Sequence, residues 1–163
     1  MKITDTSGKE HDISCIACAI QDGTIDLPIE RVHETEHFVV EQDLEYPIEG
    51  FLIVASKRHI TSVMDMTEEE SGELGKLLRT CRQAMQEVLN IKEVTLVQEE
   101  TSSSSHFHVW LFPWLNWMSV DKKKIDRILE IMRKAKEERV GNEESEEMLE
   151  KATASLKEYM DAH

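Results

Sequence analysis

Ser105–Pro113 reads SHFHVWLFP, and its alternation decides the kind of fold this chain builds. In an extended segment His106, His108 and Trp110 fall on one side and Phe107, Val109 and Leu111 on the other, because successive side chains of a strand point to opposite faces. One face is apolar enough to enter a core; the other carries imidazoles. The segment therefore predicts a strand with a buried face and a working face. Directly before it runs TSSSS, Thr101–Ser105, which reads either as a polar loop or as a rim of hydroxyls and amides able to hold the oxygens of an anion.

Working outward, HFVVEQ (37–42), GFLIVAS (50–56) and EVTLVQ (93–98) are further β-rich runs, the first two separated by the turn-forming DLEYPIE. Between the second and third the period changes. From Thr67 to about Asn90, Leu74, Leu77, Leu78, Cys81 and Met85 recur at helical spacing, and Thr67 with Glu70 forms a capping box. The order β-β-α-β-β predicts an α+β fold with an antiparallel sheet. Residues 121–140 read as an amphipathic helix carrying Ile125, Leu129 and Met132; Gly141-Asn142 breaks it, and a second helix follows. The expected organisation is one domain over 1–120, with a cysteine knuckle near its start, and a helical extension over 121–163 packed on it.

With 163 residues, 40% hydrophobic and 32% charged, the chain is long enough to bury a sizeable core. Its formal net charge of −14 excludes broad nucleic-acid binding, which needs a basic footprint. No apolar run is long enough to span a bilayer, and MKITDTSGKE lacks the apolar centre of a signal peptide. A cytoplasmic, membrane-free protein is expected.

Three cysteines are present, two of them as Cys15-x-x-Cys18. In a chain without an export signal that pair reads as metal ligands or as a buried or redox-active thiol pair. With histidines drawn from His59 and His106 it can close a tetrahedral zinc shell, Zn–S near ~2.3 Å. Cys81 falls on the apolar stripe of the helix and is expected in the core. The side chains of His106 and His108 start roughly 7 Å apart. That spacing suits two packing residues, two ligands of one metal, or one ligand beside one free imidazole, and by itself does not choose among them.

FLIVASKRHITSVMDMTEEESGEL followed by SHFHVWLFP resembles the histidine triad (HIT) superfamily, over roughly Cys15 to Pro113. The resemblance implies a sheet of about five antiparallel strands with one long helix. It implies His108 as the nucleophile on phosphorus, and a structural zinc held by Cys15, Cys18, His59 and His106. A third histidine is usual where this chain has Trp110, whose indole N–H donates a hydrogen bond but transfers no proton at neutral pH. Ser103 and Ser105 are the nearest substitutes for phosphate steering. Gln98 stands where relatives place an asparagine, and Asp43 lies near where they bind ribose hydroxyls.

The implied activity is that of a nucleotide hydrolase or nucleotidyltransferase, cleaving at an α-phosphate through a nucleotidyl-histidine. Dinucleoside polyphosphates, as for a diadenosine tetraphosphate hydrolase, or nucleoside phosphoramidates are the implied substrates. Lys57, Arg58 or Mg²⁺ carried by the substrate must balance the phosphate charge. Two other readings stand beside it: a catalytic zinc on His106 and His108, and a non-catalytic nucleotide-binding module. The resemblance further implies a homodimer pairing through the helix and an edge strand. His33 and His37 are expected at the surface or rim, and Trp114 and Trp117 either stack on a base or anchor the C-terminal helices.

Overall fold

The fold was analysed in a computed structural model that describes residues 2–4, 8–101, 106–118 and 125–163. Five antiparallel strands form the central sheet: β3 (His33–Glu34), β4 (Phe38–Gln42), β5 (Leu52–Ser56), β6 (Val94–Val97) and β7 (His108–Pro113), in the order β3-β4-β5-β7-β6. Two strands at the N-terminus, β1 (Lys2–Thr4) and β2 (Glu10–Asp12), pair as a separate ribbon. The sequence pattern did not reveal that ribbon or the two-residue β3, since neither offers enough positions to show a period.

The register settles which side chains share a face. Val40 pairs with Val54 and Val54 with Val109, while Leu52 pairs with Leu111. This apolar face is covered by the long helix α2 (Glu68–Leu89), whose Leu77, Cys81, Ala84 and Met85 are buried against it. Thr67 and Glu70 cap the helix reciprocally, and Asn90 ends it in the left-handed conformation at φ 53°. Cys81 is fully buried as expected, and burial pushes its thiol up to about 12.

Beyond β7 the chain forms α3 (Ile125–Arg139) and α4 (Glu143–Asp161), the latter capped by Asn142, whose side-chain oxygen accepts from the Glu144 and Ser145 amides. α4 packs along α2 and puts Leu156 and Met160 into the core beneath it. α3 closes a second core on the opposite side of the sheet, with Ile48, Phe51, Phe112 and Trp114. Here the structure corrects the sequence reading. The buried stripe of α3 is Ile128, Ile131, Met132 and Ala135, whereas Ile125 and Leu129 are 54% and 61% exposed. Both sets satisfy a helical period, and only the position of the second core chooses between them. Burial of Ile128, Ile131 and Met132 contributes about 1.5–3 kcal/mol each, enough to hold α3 in place.

The loop between β4 and β5 is built around Gln42, 5% exposed. Its amide nitrogen donates to the carbonyls of Asp43, Ile48 and Phe51, and its oxygen accepts from the Gly50 amide. Gly50 has φ +71°, and a Cβ there would stand 2.6 Å from Ile91 Cδ1, so only glycine closes the turn. Among the described residues no helix is long and apolar enough to cross a membrane.

Candidate metal centre and active-site cleft

Cys15 is the N-cap of α1 (Ile16–Gln21), and Cys18 lies three residues on. The i, i+3 relation places both thiols on one side of a short helix. His106 precedes β7, and His59 lies in the loop after β5. Two backbone contacts bring those segments together: the Phe107 amide donates to the Ile60 carbonyl at 2.7 Å, and the Ser56 amide to the Phe107 carbonyl at 3.2 Å. The result is a four-donor cluster of Cys15, Cys18, His59 and His106, with all ligand atoms within 4.8 Å of one another.

Sγ of Cys15 lies 3.3 Å from His106 Nδ1, and Sγ of Cys18 lies 3.2 Å from His59 Nδ1 and 3.6 Å from His106 Nδ1. Bonds of about 2.3 Å to sulfur and 2.0 Å to nitrogen at tetrahedral angles give edges near ~3.5 Å, so the cluster fits zinc. His106 Nε2 is turned the other way and donates to the Ser56 carbonyl at 2.6 Å. That bond fixes the tautomer and leaves Nδ1 as the donor pair for a metal. Burial lowers the His106 pKa and so favours the neutral, ligating form. The Cys18 thiol is pushed up to about 11, first by burial and then by the neighbouring Cys15. Two thiolates this close repel, and a cation between them reverses that cost.

His108, two residues on, does not join this cluster. Its Nδ1 donates to the His106 carbonyl at 3.0 Å, and its ring lines a cleft of about 400 Å³ on the face of the sheet opposite α2. Ile16, Ala17 and Ile20 of α1 form one wall, and Ile53 and Ala55 of β5 form the floor beside Trp110. The register explains the floor, since Ala55 pairs with His108 and Ile53 with Trp110. The far lip carries Glu41, Asp43, Glu45 and Tyr46. No lysine or arginine is among the described residues that line the cleft.

Asp43 lines the cleft at its lip, 5% exposed, with a carboxylate oxygen accepting from the Tyr46 amide at 2.8 Å. Burial pushes its carboxyl up to about 7. Trp110 stacks obliquely beside His108 at 5.8 Å between centroids and edge-on to Phe51 at 5.8 Å. Gln98 lies elsewhere: it is exposed just past β6, and its amide donates to Glu100 at 3.3 Å. Ser103 and Ser105 fall outside the described residues.

The two expected cations are also corrected. Lys57 donates to Glu34 at 2.6 Å and to the Thr35 carbonyl, and Arg58 grips Glu70 through Nε at 3.0 Å and Nη2 at 2.8 Å. Neither lines the cleft: Lys57 follows Glu34 of β3, and Arg58 follows Glu70 of α2. His37 pairs with Glu73 at 2.7 Å and His33 with Asp161 at 3.0 Å, both half-buried. Trp114 and Trp117 anchor the C-terminal extension, Trp114 in the second core and Trp117 under the Arg139 guanidinium at 4.1 Å. The apolar cleft wall was not singled out from sequence. Strand alternation could have found Ile53 and Ala55, which face away from Leu52 and Val54.

A five-stranded sheet under one long helix, with His108 between a cysteine–histidine cluster and a cleft, defines the class: this is a histidine triad protein. The chain belongs to the family described as scavenger mRNA decapping enzyme C-terminal binding, which it matches over residues 14–126. That membership places it in a superfamily of nucleotide-binding proteins and hydrolases.

Similar solved structures agree on the fold. A zinc-bound histidine triad family protein of Mycobacterium smegmatis is 23% identical, with a TM-score of 0.58 over 89% of this chain and 96% of its own. A hypothetical histidine triad nucleotide-binding protein of Sulfolobus tokodaii is 18% identical, with a TM-score of 0.64 over 91% and 93%. A HIT-like protein involved in cell-cycle regulation from Bartonella henselae, solved with an unknown ligand, is 15% identical, with a TM-score of 0.63 over 91% and 98%. A sequence search of curated proteins gave no significant match.

Proposed function

We propose that the protein is a nucleotide hydrolase or nucleotidyltransferase in which His108 attacks an α-phosphate. The observation that carries this reading is the Nδ1 bond of His108 to the His106 carbonyl. It keeps the proton on Nδ1 and leaves the Nε2 lone pair available to the cleft. In the first step Nε2 forms a bond to phosphorus while the bond to the leaving group breaks, the leaving group departing with the electron pair and, where it is an amine, with a proton taken from solvent. In the second, water attacks phosphorus, the P–N bond breaks, and neutral His108 returns as the water's proton is lost to solvent.

Cys15, Cys18, His59 and His106 would hold a structural zinc, whose closed shell supplies rigidity and no open position. His108 stands outside that cluster, which speaks against a catalytic zinc shared by both histidines. The absence of lysine and arginine from the described cleft lining favours a nucleoside phosphoramidate over a dinucleoside polyphosphate. A polyphosphate would have to bring Mg²⁺ to offset its charge. Ser103 and Ser105 remain proposed contacts for the non-bridging oxygens.

The edge strand β6, with Leu96 51% exposed, supports pairing of two chains as a homodimer, which light scattering measures directly; α4 already covers part of α2. A cytoplasmic location fits a reduced cysteine pair.

Incubation with adenosine 5′-phosphoramidate and diadenosine tetraphosphate, followed by mass spectrometry, tests the function. An adenylyl adduct on His108 is expected. Trp110 in the third triad position also supports a binding module without turnover; tight nucleotide binding with neither adduct nor product would establish that reading instead.

A further inference from the structure

The matched family ends at residue 126, and α3, Ile125–Arg139, backs the loop that carries the cleft's lip without lining the cleft itself. Its apolar stripe closes the second core, and two partly buried cleft-lining aromatics, Tyr46 and Trp110, pack against that same core. At its far end Lys136 donates to Glu45 at 2.7 Å, and its ammonium stands 5.6 Å from the centre of the Tyr46 ring. Glu45 and Tyr46 are the lip facing His108 across the cleft. Their loop is fixed from within by Gln42, and Lys136 is the contact that fixes it from outside.

We infer that α3 braces the cleft from behind and that Lys136 is a positioning residue, holding Glu45 and Tyr46 at the spacing that receives the nucleoside half of a substrate. This rests on the nucleotide reading above. A phosphate beside His108 leaves the nucleoside to extend along the cleft toward the lip, where the Tyr46 ring offers an aromatic face beside the buried Asp43 carboxyl. The ammonium also offsets the negative charge of Glu45, as Arg31 at 2.9 Å offsets that of Glu41, so a phosphate-bearing ligand enters against less repulsion. The helix thus contributes fit and charge without touching the reacting atoms.

The test compares the parent with Lys136→Met and Lys136→Arg in the full chain. Hydrogen exchange of residues 43–50 reports the lip without any ligand, and AMP binding and phosphoramidate turnover report the site. Lys136→Met is expected to speed exchange over 43–50 by about two- to fivefold, the range open to a half-exposed ion pair, with α2 unchanged. The AMP Kd and KM should rise by the same factor at constant kcat, and Lys136→Arg should restore all three. Exchange over 43–50 equal to the parent, or a fall in kcat at constant KM, overturns the inference. A parent that binds no AMP while Lys136→Met still loosens 43–50 overturns the nucleotide reading and leaves the hold of α3 on the lip standing.

Discussion

The cysteine–histidine cluster and the cleft meet at the start of β7, where His106 and His108 lie two residues apart, yet the surroundings are built on opposite terms. Around His106 both ring nitrogens are committed: Nε2 to the Ser56 carbonyl and Nδ1 to the thiols. Around His108 one nitrogen is fixed and the other faces a cleft with apolar walls and an acidic lip. Residue type and spacing are shared, and the partner on the second nitrogen makes the difference. A committed imidazole supports structure, and an imidazole with one free, deprotonated nitrogen can do chemistry.

The largest test of that contrast is His108→Ala. It should lower phosphoramidate turnover at least about a thousandfold while zinc content and Tm stay at the parent's values, since this side chain supports neither. Equal loss of zinc and activity would erase the distinction. The converse is Cys15→Ala or His106→Ala. Metal analysis should show zinc lost, and calorimetry a Tm lowered by about 6–12 °C, as a loss of about 3 kcal/mol implies for a chain of this size. Chelation of the parent should give the same shift.

A third test sharpens the cleft side. The Asp43 carboxyl is raised from 3.8 to about 7 by burial. Between those values the folded state keeps a proton that the unfolded chain has lost. This residue therefore makes stability fall as pH rises from about 4 to 7, by at most about 1.4 kcal/mol per pH unit, and the loss is complete above 7. Asp43→Asn should remove that component, so the parent-minus-variant Tm difference should change across the window and level off on either side. A pH-independent difference would mean an ordinary carboxylate. The smallest effect is expected from Trp110→His. If the indole fills the place of a phosphate-facing imidazole, turnover should hold or rise by about two- to threefold; a large loss would make Trp110 a specific part of the site.

Much of the fold was legible because its signals are local. The capping box of Thr67 and Glu70, the helical stripe through Cys81 and the two faces of Phe107–Leu111 each follow from the geometry of one element. The four-donor cluster was legible through resemblance, since Cys15 and Cys18 are near neighbours but His59 and His106 join them only across the sheet. The α3 stripe was misassigned because Ile125 and Leu129 satisfy the period as well as Ile128 and Ile131 do. Lys57 and Arg58 were expected at the phosphate because sequence shows charge without showing the carboxylate that claims it.

The sequence by itself determined an α+β chain with an antiparallel sheet, a capped helix against its apolar face, and a strand with His108 and Trp110 on its polar face; that strand begins at His108, so His106 lies just before it. Those features rest on backbone periodicity and on contacts within three or four residues. Only the tertiary structure decided that His106 turns to sulfur and His108 to a cleft, that the lip opposite is acidic, and that a helix after residue 124 holds it. Each of those depends on distances between segments 40 to 90 residues apart, which strand register and core packing set and no local pattern encodes.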